Sequence, residues 1–388
     1  MNTRRRSLSP LLTIYLVSFF YTLHAAIPVY VNSTFLATLI SEKYIGLIYG
    51  IASFLTILAV IATPKLLRFV GDYFATLLFI ILEIASLIGI AASHSSWLTI
   101  ALFIISSILI SLIAFDFDLI VEGFSKNAST GGIRGLYLTS ANVAWVIAPA
   151  LASFLLVGGD YWRIYLLSAA LFIPGLLLFS GKLEQFKDPL YRTIHFKKTF
   201  ASVWRNKDLR GIFCISFLLQ FFFMLMVIYT PVYLHEYIGF GWGELGPIFS
   251  IMLIPFLLLE APLGKIADKL LGEKELLVVG FSIMTLATGS MYFFTGHSFA
   301  LWAGILFMTR VGAAIVEVMT ETYFFKKIDG SDATIVGLNR TVRPFAGVLG
   351  PLLATGLLAF ISLPALFLVL GALMLLGIPF ALTLKDTR

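Results

Sequence analysis

The chain has 388 residues, of which 59% are hydrophobic and only 12% are charged. Soluble domains carry about 25% charged residues, so this composition excludes a soluble protein and indicates an integral membrane protein with many spans. The net charge of +6 does not predict nucleic-acid binding, because the basic residues lie between apolar segments rather than on one face.

Segments long enough to cross a bilayer recur along the whole chain. The first follows Arg4, Arg5 and Arg6, but it is too long for the apolar region of a signal peptide, so we expect it to be retained as a helix. The sequence therefore predicts an all-α integral membrane protein with twelve transmembrane helices. The predicted spans are 11–31, 45–67, 74–93, 97–120, 135–157, 163–181, 211–234, 244–264, 276–295, 299–325, 333–361 and 365–384.

The basic residues predict the orientation of these spans. With a cytoplasmic N-terminus, 22 Lys and Arg lie in cytoplasmic loops and tails, and only Lys43 and Arg163 lie in outer loops. This bias predicts a multi-pass protein of the plasma or inner membrane with both termini in the cytoplasm. The longest hydrophilic stretch, residues 182–210, divides the spans six and six. It predicts a cytoplasmic linker with an amphipathic interfacial helix near residues 196–204.

The two halves of the chain repeat at a nearly constant offset. Parallel repeats of six spans are typical of transporters with a midplane site between two bundles. We therefore expect two pseudo-symmetric six-helix bundles, residues 1–181 and 211–388. The matches are Pro28-Val29-Tyr30 with Pro231-Val232-Tyr233 at 203, Thr139 and Pro149 with Thr341 and Pro351 at 202, Asp116 with Glu317 at 201, and Lys65 with Lys265 at 200.

The loop between spans 8 and 9 carries a recognisable pattern: Gly264, Asp268, Lys269 and Gly272 stand in glycine-acid-base-glycine order. It resembles the cytoplasmic-loop signature of the major facilitator superfamily, apart from one extra leucine and Glu273 in place of a base. The resemblance implies a secondary transporter with these residues in its inner gate, although a purely structural tight turn over residues 269–274 remains open. In the first half Arg68 stands in the aspartate position, which departs from the signature.

Span 10 carries charges where lipid does not tolerate them. Arg310, Ala314, Glu317 and Glu321 lie on one helical face, and Arg310 is ~16 Å into a ~30 Å hydrocarbon core. One unpaired charge there costs at least about 2.5–3.5 kcal/mol, so this face must contact protein or water. Two interpretations remain, a solute and proton pathway through Arg310 and Glu317 or a structural salt-bridge network. Glu321, with Arg340 and Arg343 of span 11, is predicted to stabilise the inner gate.

Further candidates are scattered over the other spans. Asp116 is a candidate proton carrier, and His24 could titrate in the pathway or form a structural hydrogen bond. Asn142 and Trp145 form a stripe with Pro149 that predicts a surface facing a cavity. The remaining candidates are Gln220, Tyr30 and Tyr233 as pathway-lining residues, and Asp118, Glu122, Arg134 and Glu260 near the inner ends of their spans as gate residues.

Motifs for other chemistry are not found. The chain has no phosphate-binding loop, zinc-protease motif or nucleophile elbow, so we expect no enzyme activity, cofactor or metal. Its one cysteine, Cys214, excludes an intramolecular disulfide and a cysteine-based metal site. The predicted function is secondary active transport of a small organic solute by a monomer in lipid, coupled to protons, with efflux slightly favoured. The alternatives are import of a sugar, nucleoside or organic acid, and a non-transporting membrane sensor or lipid-modifying protein.

Overall fold

The computed structural model describes residues 10–124, 130–156, 158–182, 196–269, 272–327, 335, 338–339 and 341–385. Within these residues the regular elements are helices. They are α1 Pro10–Val29, α2 Asn32–Leu39, α3 Ile45–Val70, α4 Asp72–Ala92, α5 Ser96–Phe124, α6 Thr130–Leu156, α7 Tyr161–Lys182, α8 Phe196–Arg205, α9 Lys207–Val232, α10 Trp242–Lys269, α11 Glu273–Ser290, α12 Phe299–Lys327, α13 Val342–Leu357, α14 Leu363–Met374 and α15 Gly377–Thr383.

Each of the twelve predicted spans coincides with helix in the described residues. Nine helical segments there are long and apolar enough to cross a membrane, and two shorter apolar helices, Ser140–Leu156 and Val342–Leu357, correspond to spans 5 and 11. The remaining span is α11, and the last span consists of α14 followed by α15. The predicted all-α membrane fold is confirmed.

Helices of each half pack on one another in corresponding ways. In the first half α1 packs on α6 and α7, and α4 packs on α5 and α7. In the second half α9 packs on α13, and α11 packs on α12 and α14. The predicted helix between the halves is confirmed as α8, and Asn206 caps the start of α9 by accepting hydrogen bonds from the backbone amides of Asp208 and Leu209 at 3.0 and 3.2 Å.

The two halves meet through two related helix pairs, α3 with α13 and α6 with α10. In the first pair Gly46 lies against the carbonyl of Pro351 and the hydroxyl of Thr355. In the second pair Gly246 lies against the carbonyl of Pro149 and the hydroxyl of Ser153. A Cβ atom at either glycine would overlap these oxygens, so glycine is what permits the close approach.

These contacts lie at the end of the bundles opposite the chain termini. At the same end the phenol of Tyr237 donates a 2.7 Å hydrogen bond to the carboxylate of Glu42, which joins the second half to the first. Tyr161 and Trp242 also meet there edge to face, with ring centroids 6.2 Å apart. The two halves are therefore closed against each other at the end remote from the termini.

Replacing Gly246 by valine should hold the remote end open. Gly243 lies in the same first turn of α10 with nothing near its Cβ position, so Gly243→Val is a matched control. We expect Gly246→Val to lengthen the distance between spin labels placed at Tyr44 and Phe360 in a Cys214→Ser background, while Gly243→Val leaves it unchanged. An unaltered distance in a folded Gly246→Val protein would show that this contact does not control closure.

Candidate functional site

Arg310 is the most deeply placed charge of the second half whose side chain the structure describes. It lies midway along α12, and only 1% of its surface is exposed. The carbon at the centre of its guanidinium lies 5.4 and 5.6 Å from the ring centroids of Phe222 and Phe223 on α9. Such cation–π contacts contribute about 0.5–2 kcal/mol, which offsets only part of the cost of burying the charge.

Tyr30 approaches the same guanidinium from the other bundle. It follows α1, is 4% exposed, and stacks on Phe249 of α10 with ring centroids 5.0 Å apart. Its phenol interacts with the Arg310 guanidinium across the boundary between the halves. Glu317, two helical turns along α12, adds a Coulomb attraction to Arg310. The site is thus assembled from both halves of the chain.

Two hydrogen-bond donors of Arg310 are unused. Its Nε and Nη1 atoms are buried and have no hydrogen-bond partner among the described residues. Buried guanidinium donors normally find acceptors, because leaving them unsatisfied costs free energy. An acceptor group brought to these donors would satisfy them.

Exposure rises along the charged face of α12 toward the end of the molecule that carries the termini. Arg310 and Ala314 are buried, Glu317 is half-buried and Glu321 is exposed. Three more pathway candidates are half-buried: Asn142 and Trp145 on α6, and Gln220 on α9. Their part in a pathway stays a prediction.

Three predicted pathway residues lie away from Arg310, each in the interior of its own bundle. Asp116 is fully buried in the first bundle and accepts a 2.9 Å hydrogen bond from Thr76 of α4. Tyr233 packs inside the second bundle between Trp302 and Phe367, at 5.6 and 5.1 Å. Hence the two tyrosines of the repeated Pro-Val-Tyr sequence have different surroundings, and only Tyr30 reaches the other half.

His24 is the third of these residues, and it lies beside Glu83. Both side chains are fully buried in the first bundle, with 3.9 Å between His24 Nε2 and Glu83 Oε1. The imidazole stacks on Phe172 at 3.8 Å, and Ser106 donates a 2.7 Å hydrogen bond to Glu83. These contacts join α1, α4, α5 and α7, so the pair lies in the interior of the bundle.

The predicted inner gate is only partly described. Arg68 is exposed in the last turn of α3, Arg343 is exposed in the first turn of α13, and Gly272 is buried just before α11. The other gate candidates have side chains outside the described residues, and their roles stay predictions: Gly264, Asp268, Lys269, Asp118, Glu122, Arg134, Glu260 and Arg340.

Ion pairs connect the helices of the second bundle at the end with the termini. Lys326 lies 2.6 Å from Glu273, and Lys327 lies 3.3 Å from Asp208. Glu273 begins α11, and both lysines end α12, so each side chain has the sign that the nearby helix end favours. Glu273, which stands in place of a base of the loop signature, therefore links α11 to α12 through an ion pair.

Several residues of the site were missed at the sequence level. Gly46 and Gly246 follow the repeat at an offset of 200, and Ser153 and Thr355 follow it at 202, so the constant offset could have identified them. Phe222 and Phe223 also follow the repeat, matching Phe19 and Phe20 at an offset of 203, but that match does not distinguish rings that contact a cation from rings that face lipid.

The fold and the site define a class of protein, a polytopic membrane transporter with a charged centre between two bundles. The sequence profile of the Major Facilitator Superfamily matches residues 11–351, and the chain belongs to that family. It is therefore a transporter of small solutes and not an enzyme. No curated protein sequence matches the chain significantly.

Solved structures of the nucleoside transporter NupG have the same fold. One, a point mutant of NupG, is 14% identical, with a TM-score of 0.76 over 97% of this chain and 100% of its own. Another NupG structure is 13% identical, with the same TM-score, over 97% and 99% of the two chains. At this identity the likeness establishes the fold.

Replacing each tyrosine of the repeated sequence by phenylalanine separates their roles. We expect Tyr30→Phe to lower solute flux several-fold in proteoliposomes, because it removes the hydroxyl through which the first bundle interacts with Arg310. Tyr233→Phe removes a hydroxyl that makes long hydrogen bonds of 3.5 and 3.4 Å inside the second bundle, and should leave flux near that of the parent protein. Equal losses in the two variants would contradict this assignment.

Proposed function

We propose that this protein is a proton-coupled secondary transporter that takes up a small polar organic solute. The observation that carries the proposal is Arg310, a buried guanidinium with unused donors at the boundary between the two bundles. A charge in this place is costly unless a ligand or water approaches it, and ionisable groups inside a membrane are typical of solute and ion pathways.

The bundles are proposed to move by alternating access around Arg310. The excess of Lys and Arg near the termini supports a cytoplasmic position for that end, so the closed end faces outward. Opening would separate Gly46 from Pro351 and Gly246 from Pro149, two small contacts related by the repeat. Because one chain contains both bundles and the site between them, we propose that a monomer in lipid is the transporting unit.

The lipid surface is proposed to hold α8 on the cytoplasmic side. Phe200 and Trp204 stack at 5.4 Å, and both remain about half exposed. Exposed aromatic pairs on an amphipathic helix are typical of the boundary between water and hydrocarbon.

Proton coupling is proposed to act through Glu317. Ionised Glu317 attracts the Arg310 guanidinium and so competes with a solute acceptor for it. A proton on Glu317 removes that competition, so proton and solute each strengthen the binding of the other by the same factor. Glu321 lies one turn further along the same face, where it can relay the proton toward the cytoplasm.

Uptake is favoured over export by the charged character of the centre, and the fold shared with a nucleoside transporter agrees with a polar solute. One observation favours the second candidate, export of amphipathic compounds: the rings of Phe222, Phe223 and Phe249 give the site a large apolar surface. Flux measured with each direction of the pH gradient distinguishes the two.

Replacing Glu317 by glutamine should uncouple transport from protons. We expect Glu317→Gln to abolish accumulation driven by a pH gradient in proteoliposomes while solute exchange without a gradient continues, because glutamine cannot take up or release a proton. Glu275→Gln, at an exposed position of α11, removes the same charge outside the pathway and should transport like the parent protein. Undiminished gradient-driven uptake by Glu317→Gln would remove Glu317 from the mechanism.

A further inference from the structure

Resting on the transport function proposed above, we infer that the solute is a small organic anion whose carboxylate binds Arg310 and whose body is flat and apolar. Three features of the site carry this inference: a buried charge with no described acid in contact, unused hydrogen-bond donors, and aromatic rings around them. The charge indicates the ionic group of the solute, the donors indicate its hydrogen bonds, and the rings indicate the shape of the rest of the solute.

The positive charge of Arg310 favours a negatively charged ligand. The groups beside Arg310 include two phenylalanine rings and the Tyr30 phenol, all of them neutral. Its nearest described acid on α12, Glu317, is seven residues away, about 10 Å along the helix axis. A neutral solute would leave the guanidinium without an anion in contact with it in a closed site, whereas a carboxylate would neutralise it where solvent is excluded.

The donors of Arg310 suit a carboxylate in particular. Charge-assisted hydrogen bonds from a guanidinium to a carboxylate are roughly twice as strong as neutral ones. The two unused donors are Nε and Nη1, whose N–H bonds lie on different sides of the guanidinium, so each can donate one such bond to a carboxylate oxygen. The Tyr30 hydroxyl lies beside the same guanidinium and can donate a further hydrogen bond to a bound carboxylate.

The walls of the site favour a flat apolar body over a hydroxyl-rich one. Phe222 and Phe223 lie on one side of the guanidinium, and the stacked rings of Tyr30 and Phe249 lie across the boundary. Hydroxyls of a sugar placed against these rings would lose their hydrogen bonds to water without replacement, at a cost of about 1–3 kcal/mol each. Stacking against an aromatic or other flat acid carries no such cost.

Binding of an anion also determines the net charge that crosses the membrane in each transport cycle. In the empty site ionised Glu317 attracts Arg310 without contacting it; in the loaded site the carboxylate binds Arg310 directly, and Glu317 takes a proton. On helices packed against α12, Asp208 pairs with Lys327, Glu273 pairs with Lys326, and Lys207, Arg210 and Glu275 are exposed. One proton would thus accompany each anion, and uptake would be electroneutral.

Matched pairs of acids and amides test the inference on the purified full-length protein. The probes are benzoate with benzamide, phenylacetate with phenylacetamide and nicotinate with nicotinamide, measured by isothermal calorimetry beside uridine and glucose. We expect at least one carboxylate to bind about ten-fold or more tightly than its amide, because the amide lacks the charge. Arg310→Gln should abolish the difference, and Arg163→Gln, at an exposed arginine paired with Asp160, should preserve it.

The outcomes separate this inference from the transport function. Preference for an amide, for uridine or for glucose, or binding of no carboxylate in the panel, would overturn the anion assignment even if the preferred compound is transported. A carboxylate that binds at Arg310 but does not cross proteoliposomes would overturn the transport function instead. If Arg310→Gln does not fold, Tyr30→Phe provides the second test, and it should weaken carboxylate binding several-fold without affecting the amide.

Discussion

The guanidinium of Arg310 imposes the constraint on which the other features of this protein depend. A permanent charge in the hydrocarbon region must be surrounded by polar or polarisable groups, and the second bundle places the rings of Phe222 and Phe223 beside it. The first bundle adds the Tyr30 phenol, so the charge is accommodated only where the halves meet. A site that neither half contains by itself agrees with the proposed alternating access, because moving the halves apart would change the affinity of the site.

Closure and binding are connected through α10. Gly246, which permits the close approach to α6, lies one turn before Phe249, which stacks on Tyr30. Separation of the bundles at the remote end would therefore withdraw Tyr30 from Phe249 and from Arg310 together. The same arrangement explains why the repeat matters physically: each half contributes one glycine and one proline carbonyl, so the two interfaces can open and close with similar energies.

Much of the fold could be predicted from the sequence, because a bilayer constrains composition strongly. Spans, the repeat and the charged face of α12 all follow from segment length and from the cost of charge in lipid. The direction in which individual side chains point could not be predicted from the sequence. Tyr30 and Tyr233 occupy matching positions, yet one contacts the opposite bundle and the other its own, and this depends on which helices pack beside them. His24 likewise lies beside Glu83, a residue 59 positions away, which no local pattern records.

The most direct measurement of the central claim is the accessibility of position 310 to water. In a Cys214→Ser background, Arg310→Cys and Thr288→Cys place one thiol at the boundary between the halves and one at a fully buried position inside the second bundle. A hydrophilic thiol reagent applied from the side of the termini should react at position 310 and not at position 288. Equal inertness at both positions from both sides of the membrane would mean that Arg310 is sealed inside the protein, and would contradict a solute pathway through it.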